Sequence, residues 1–136
     1  MTRFGIDAPT LLHLVAEGVP VADGHQLVAP HLLRSEALAL LFDAVTRGEL
    51  TETDALARHE AMTSVKIRLL GDRVSRAVAW AIARDHHFDS TTAAEYLAVT
   101  RLQADLFVSV DPQARARADG IVPVGTVEKL SEAARP

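Results

Sequence analysis

The sequence predicts an α/β fold in which a parallel sheet carries helices on both faces. Short apolar segments at 4–6, 65–70, 106–110 and 121–124 have the length and composition of buried strands. Helical patterns fill the intervals between them, and strands that alternate with helices along one chain typically form a parallel sheet. The chain has 136 residues, which is room for one domain, and we expect that domain to span 1–136.

The helices are predicted from apolar periodicity and from residues typical of helix ends. Gly18 and Gly48 stand where a C-terminal cap is expected. Residues 51–54 resemble a capping box with Asp in place of the usual Glu or Gln, and Pro112 suits the first position of a short helix. On this basis we predict helices at 10–17, 31–47, 51–62, 72–85, 92–104 and 112–118.

Composition excludes several classes of protein. The chain is 49% hydrophobic and 24% charged, and it has no apolar run near the ~20 residues that a membrane helix needs, so we expect a soluble protein with no membrane contact. Its first residues lack the features of a secretory signal peptide, which predicts a cytoplasmic location. There is no cysteine, so any metal must be bound by Asp, Glu or His. The formal net charge of -4 predicts that nucleic acid would be bound only through a local patch.

Three carboxylates stand where a specific role is expected. Asp7 and Asp111 each follow a predicted strand, and ligand sites in parallel sheets lie beyond the carboxyl ends of the strands. Glu36 borders the apolar face of helix 31–47, where a carboxylate needs a partner. If the three converge, they suit a hard divalent cation such as Mg²⁺ or Mn²⁺, which can activate water and stabilise charge on a phosphodiester.

Structural roles for the same residues remain open at this point. Asp7 and Asp111 can each cap the helix that follows, and Glu36 can pair with Arg34 or with a nearby helix. Other signatures of catalysis are absent, since the sequence contains neither glycine-rich phosphate-binding motif nor the two-histidine motif of zinc proteases. His86 and His87 stand near a helix end, where their simplest role is that of surface residues favourable to the helix dipole.

Four short motifs occur in a characteristic order along nearly the whole chain. They are GID at 5–7, SE at 35–36, EYLA at 95–98 and VSVD at 108–111. This ordered set resembles a PIN domain of the VapC toxin type. The resemblance implies a three-layer α/β/α sandwich with a mostly parallel central sheet. It also implies a Mg²⁺- or Mn²⁺-dependent endoribonuclease of a type II toxin–antitoxin system, which cleaves RNA and is neutralised by a cognate antitoxin.

The resemblance assigns metal binding and catalysis to Asp7, Glu36 and Asp111. The remaining carboxylate of that family usually stands immediately before Ala-x-Tyr, and here that place is occupied by Ala93. Asp89 stands four residues earlier, but the register favours Ala93 as the counterpart. Ala93 is either an inactivating substitution or the mark of a weakened member. We therefore expect weak or absent cleavage, and a non-catalytic module that binds RNA or an antitoxin is the alternative.

Two surface features predict binding partners. Leu32, Leu38 and Phe42 lie beside the core stripe of the second helix. Because a small domain cannot bury every apolar position, we expect an antitoxin segment and a second copy of the chain, in a homodimer, to cover them. A basic stretch is expected near the site, in contact with RNA phosphates, and a solvated helix face is the equal alternative. Its members are Lys66, Arg68, Arg73 and Arg76.

Overall fold

The structure, a computed structural model, describes residues 1–133. The predicted domain 1–136 also includes residues 134–136, which lie outside the described residues. Every pair of neighbouring strands is parallel, so the predicted α/β class is confirmed, with an entirely parallel sheet. The strands are β1 (Thr2–Ile6), β2 (His25–Pro30), β3 (Ile67–Leu70), β4 (Leu106–Val108) and β5 (Val124–Gly125). Across the sheet their order is β3-β2-β1-β4-β5.

Helices cover both faces of this sheet. They are α1 (Ala8–Glu17), α2 (Leu33–Thr46), α3 (Glu52–Met62), α4 (Arg73–Asp85), α5 (Thr92–Gln103) and α6 (Pro112–Ala118). From β1 the chain adds β2 and β3 on one side, and it then returns to add β4 and β5 on the other side. Because crossovers between parallel strands are right-handed, this reversal places α1–α3 on one face of the sheet and α4–α6 on the other. The packing agrees, since α1, α2 and α3 contact one another, while α4 lies along α5 and α5 crosses β1 and β2. The result is a three-layer α/β/α arrangement.

The sequence analysis missed one strand. β2 pairs with β1 and β3 and therefore lies inside the sheet. Only Leu27, Val28 and Ala29 form an apolar run there, and Pro30 ends it. Such a run is too short to show the alternation by which a strand is identified from sequence. All three residues are nonetheless buried, because β2 is covered on both faces.

Strand ends also differ from the predictions. β4 stops at Val108 instead of 110 because the hydroxyl and backbone groups that follow are used in the site described below. The predicted strand 121–124 is replaced by β5 at Val124–Gly125. Ile121 and Val122 instead donate their backbone N–H groups to the Ala118 carbonyl and form a turn after α6. Each backbone N–H is a single donor, so the groups used in this turn are not available for sheet pairing.

The core lies between the sheet and both helix layers. On α2, Leu33, Ala37 and Leu41 are buried as predicted, whereas Leu40 is 37% exposed and lies outside the core. The fully buried side chains include Ile6, Leu11, Leu27 and Val108, so the three inner strands β1, β2 and β4 contribute together with α1. Within residues 1–133, no helix has both the length and the apolar character that crossing a membrane requires.

Candidate active site

The site lies where the sheet changes its winding direction, at the carboxyl ends of β1 and β4. Ligands of parallel α/β sheets bind in the crevice at this point. Ile6 pairs with Val108 in the register between the two strands, so the chain segments that follow leave the sheet side by side. Asp7 begins one of these segments and Asp111 ends the other. Both predicted carboxylates are therefore at the same edge.

A pocket of about 590 Å³ opens at this edge. Asp7, Glu36 and Asp111 all line it, so three chain segments distant in sequence contribute one carboxylate each. Glu36 comes from the first turn of α2, on the opposite side of the sheet from α5. The other lining residues are Pro9, His86, His87, Phe88, Asp89, Ser90, Thr92, Ala93, Tyr96, Leu97, Phe107, Ala114 and Arg117.

Asp7 is held by neighbours on two sides. Its side chain is almost fully buried, at 7% exposed. One oxygen, Oδ1, accepts hydrogen bonds from the Thr10 N–H at 3.1 Å and from the Thr10 hydroxyl, so Asp7 caps α1. The other, Oδ2, accepts from the Ser109 hydroxyl at 2.7 Å. The Thr10 hydroxyl in turn accepts from the Val110 N–H at 3.1 Å. These bonds join the end of β1 to the segment after β4 and leave the Asp7 carboxylate little freedom to rotate.

Asp111 has a capping role of its own. Its Oδ1 accepts from the Gln113 N–H at 3.0 Å at the start of α6. Its backbone N–H donates to the Ser109 hydroxyl at 3.1 Å, and the Arg115 guanidinium donates to the Ser109 carbonyl at 2.6 Å. Ser109 thus connects the two carboxylates, because its hydroxyl donates to Asp7 and accepts from the backbone of Asp111. The capping roles considered for Asp7 and Asp111 are both confirmed, and each is compatible with a second role in the pocket.

Glu36 finds its partner on the far side of the sheet. The Tyr96 hydroxyl of α5 donates a hydrogen bond to Glu36 Oε1. Burial raises the pKa of Tyr96 far above its ordinary value, and the bond to Glu36 raises it further, so the phenol stays protonated and remains a donor. Tyr96, and not Arg34, is therefore the residue that orients this carboxylate.

The three carboxylates suit a divalent cation by their donor chemistry. Within residues 1–133, Glu36 Oε2 and Asp111 Oδ2 accept no hydrogen bond from the protein. Free carboxylate oxygens are the ligands that Mg²⁺ and Mn²⁺ prefer. In the same range, no three His, Asp or Glu side chains form a preassembled ligand cluster. The fit to such an ion therefore rests on the chemistry of the carboxylate donors.

Ala93 lines the same pocket as the three carboxylates. It stands in the first turn of α5, two residues after the N-cap Thr91. Asp89 also lines the pocket, but from the connection before α5, where its side chain is exposed. A carboxylate at position 93 would therefore belong to the same pocket as Asp7 and Glu36.

The predicted basic stretch lies elsewhere. In the part of the chain that the structure describes, Lys66, Arg68 and Arg73 line neither this pocket nor a smaller neighbouring hollow, and Arg76 lines only that hollow. All four are exposed, which agrees with the alternative of a solvated surface. None of the four therefore lines the pocket that contains the carboxylates, and their contact with RNA phosphates stays a prediction. The basic residues in the pocket wall are His86, His87 and Arg117, none of which was singled out from the sequence as a phosphate contact.

Removal of the Ser109 hydroxyl is expected to destabilise the protein by about 1–3 kcal/mol, because a buried carboxylate oxygen of Asp7 loses its donor. The Ser109→Ala variant keeps the backbone bond from Arg115 intact, so the loss reports on the hydroxyl. Ser64→Ala, at an exposed serine, is the matched control. The free energy of unfolding in urea measures both, and equal stability of the two variants would contradict the role assigned to Ser109.

The comparisons with known proteins support the fold. No protein-family model matches the chain, and no curated protein matches it in sequence. Among solved structures it is similar to the crystal structure of PAE2754 from Pyrobaculum aerophilum, with a TM-score of 0.71 and 19% sequence identity. The match covers 96% of this chain and 94% of that one. Likeness at this identity establishes the fold alone, and it confirms the α/β, PIN-like architecture expected from the sequence.

Proposed function

We propose that this PIN-like chain is an endoribonuclease of the toxin–antitoxin type. Its activity depends on Mg²⁺ or Mn²⁺ and is weakened by Ala93. The observation that carries the proposal is that Asp7, Glu36 and Asp111 line one pocket at the switch point of the sheet. Within residues 1–133 none of the three carboxylates forms an ion pair with Lys, Arg or His, so a bound cation would supply the counter-charge that they lack. A cytoplasmic location belongs to the same proposal.

The three carboxylates would hold the ion, which when bound supplies Lewis acidity for the hydrolysis of a phosphodiester. The remaining residues of the site position these ligands. Thr10 and Ser109 fix both oxygens of Asp7, and Tyr96 fixes one oxygen of Glu36. Such supporting hydrogen bonds define the orientation of ligands before the ion arrives. The function is tested by divalent-ion-dependent cleavage of RNA by an Ala93→Asp variant.

Ion binding can be measured apart from cleavage. Mn²⁺ at about ten times its Kd is expected to stabilise the fold by about 1.4 kcal/mol, because only the folded chain brings the ligands together. The double variant Glu36→Gln, Asp111→Asn should lose most of this gain. Its amides keep the hydrogen bond from Tyr96 and the cap on α6, since Asn is as good an N-cap as Asp. Thermal unfolding with and without Mn²⁺ is the measurement.

Asp72→Asn is the matched control for this experiment. Asp72 caps α4 through Ser75 and is exposed, and within residues 1–133 it lines neither pocket. Its variant should respond to Mn²⁺ as the parent does. An equal Mn²⁺ response of the double variant would show that the ion binds elsewhere and would remove the metal from the proposal.

A second candidate function is that of a non-catalytic module that binds RNA or an antitoxin. Two observations favour it. Ala93 contributes only a methyl group to the pocket wall, and the carboxylates of residues 1–133 form no preassembled ion cluster. This candidate predicts RNA or antitoxin binding with no cleavage by any form of the chain, including Ala93→Asp.

Exposed apolar residues on α2 support the proposed protein partners. Phe42 is 73% exposed and Leu38 is 49% exposed, and the two are one turn apart on the same side of the helix. Leu32, just before the helix, is half-buried against the core. Burying such a surface is favourable by roughly 25 cal/mol per Å². An antitoxin segment and a second copy of the chain are the partners that we propose for it.

A further inference from the structure

Basic and aromatic side chains also line the pocket. They come from the connection between α4 and α5, which contributes His86, His87 and Phe88 together with Asp89, and from Arg117 near the end of α6. The Arg117 guanidinium lies 5.9 Å from the centre of the Phe88 ring, in a cation–π arrangement. Among residues 1–133, no carboxylate forms an ion pair with Arg117. The pocket therefore combines carboxylates with a group of basic and aromatic side chains.

His87 stands at a position where glycine is the usual residue. Its φ is 57°, and it is the one residue other than glycine with a positive φ between residues 1 and 133. The Phe88 N–H donates to the Ala83 carbonyl at 2.9 Å and the His87 N–H to the Arg84 carbonyl at 3.4 Å. These two bonds are the Schellman motif, in which the left-handed position is favourable for glycine and unfavourable for a residue with a Cβ.

The imidazole of His87 is thus presented to the pocket at a cost in stability. Unfavourable backbone conformations at a pocket are grounds for a functional hypothesis about the side chain concerned. We propose that His87 and Arg117 bind the phosphodiester backbone of an RNA strand whose neighbouring phosphate lies against the carboxylates. This inference rests on the proposed function, because it assigns the substrate's position in the same pocket.

Size and charge both favour this placement. A pocket of about 590 Å³ is far larger than one hydrated ion needs and falls within the range of about 300–1,000 Å³ typical of ligand pockets. The three carboxylates repel a polyanion, so a strand can approach them only if cations face them from nearby. Arginine is suited to this task because its planar guanidinium binds phosphate oxygens in pairs. Stacking on Phe88 holds the guanidinium of Arg117 in position without neutralising it.

The experiment measures binding of a fluorescent single-stranded RNA in EDTA, so that neither a metal ion nor cleavage contributes. Arg117→Gln is expected to raise Kd about fivefold and to reduce the slope of log K against log salt by about 0.7, the value for one phosphate contact on a single strand. Arg47→Gln is the control, since Arg47 is exposed, pairs with Asp43 and Glu49, and does not line the pocket. It should change neither quantity.

His87→Gly separates the proposed role from a structural one. Relief of the backbone is expected to raise Tm by about 2–6 °C. The same substitution should raise Kd for RNA severalfold, because the imidazole is lost. A merely structural His87 would give a more stable protein with unchanged affinity. That result, together with Arg117→Gln behaving like Arg47→Gln, would overturn the inference.

A DNA strand of the same sequence completes the test. The losses on Arg117→Gln and His87→Gly should be shared by RNA and DNA, because the proposed contact is to the phosphodiester. A loss confined to RNA would overturn the phosphate assignment in favour of contacts to the 2′-hydroxyl. All of these measurements are independent of catalysis. If Arg117→Gln and His87→Gly both weaken RNA binding while Ala93→Asp stays inert, the nuclease proposal is rejected and the phosphate contact stands. If Ala93→Asp cleaves RNA while the two variants bind it as the parent does, the phosphate contact is rejected and the nuclease proposal stands.

Discussion

Ala93→Asp is expected to restore RNA cleavage that requires Mg²⁺ or Mn²⁺. With Ala93 in place, we expect the chain to cleave RNA weakly or not at all. Position 93 lines the pocket that contains Asp7, Glu36 and Asp111. A supporting carboxylate in a metal site typically contributes about 10–100-fold to affinity or activity, and a direct ligand contributes more. We therefore expect a gain of at least about 10-fold in the cleavage rate of structured or unstructured RNA.

The substitution should not harm the helix that carries it. Position 93 is in the first turn of α5, where a negative charge is favourable with the helix dipole. Repulsion among four carboxylates should lower stability without an ion and make the variant respond more strongly to Mg²⁺.

Ala93→Asn is the matched control, because it has nearly the same shape without the charge. It should remain as inactive as the parent, and a chelator should abolish the activity of Ala93→Asp. If Ala93→Asp stays inert with every divalent ion while it binds RNA or antitoxin normally, the nuclease proposal fails. The non-catalytic binding module then takes its place.

The second large effect is expected on stability. Gly5→Ala should destabilise the protein by about 2–3 kcal/mol, as overpacking in a core typically does. Gly5 lies in the central strand β1, directly beneath α5. A Cβ at this position would overlap the Thr100 hydroxyl and lie 3.1 Å from the Thr100 Cβ. In a strand without such a neighbour, alanine would stabilise relative to glycine, so the sign of the effect tests the close approach of α5.

A double-mutant cycle with Thr100→Ala isolates this contact. The single Thr100→Ala variant loses the bond that its hydroxyl donates to the Tyr96 carbonyl and should cost about 1 kcal/mol. In its background, the cost of Gly5→Ala should fall substantially because the overlapping hydroxyl is gone. Unfolding in urea measures all four proteins. Additive costs would show that the contact between Gly5 and Thr100 does not limit the packing of α5 on β1.

The residues of the site were predictable where their signals are local. Asp7 and Asp111 each follow an apolar strand and cap a helix, and both features are readable over fewer than ten residues of sequence. Glu36 was identified because a carboxylate at the border of an apolar helix face needs a partner. Its partner Tyr96 is sixty positions away, and their pairing depends on how α2 and α5 meet across the sheet edge.

The sequence by itself determined the class of the fold, most of its helices and the three carboxylates, because caps, apolar periodicity and strand ends are properties of neighbouring residues. Only the tertiary structure decided that His25–Pro30 is a strand, since its stability comes from β1 and β3 on either side and not from its own short apolar run. Only the tertiary structure also decided which basic residues line the pocket together with the carboxylates. The order of strands in the sheet carries one end of α4 away from the pocket and brings His87 and Arg117 to it, and strand order is a consequence of long-range packing that local sequence does not encode.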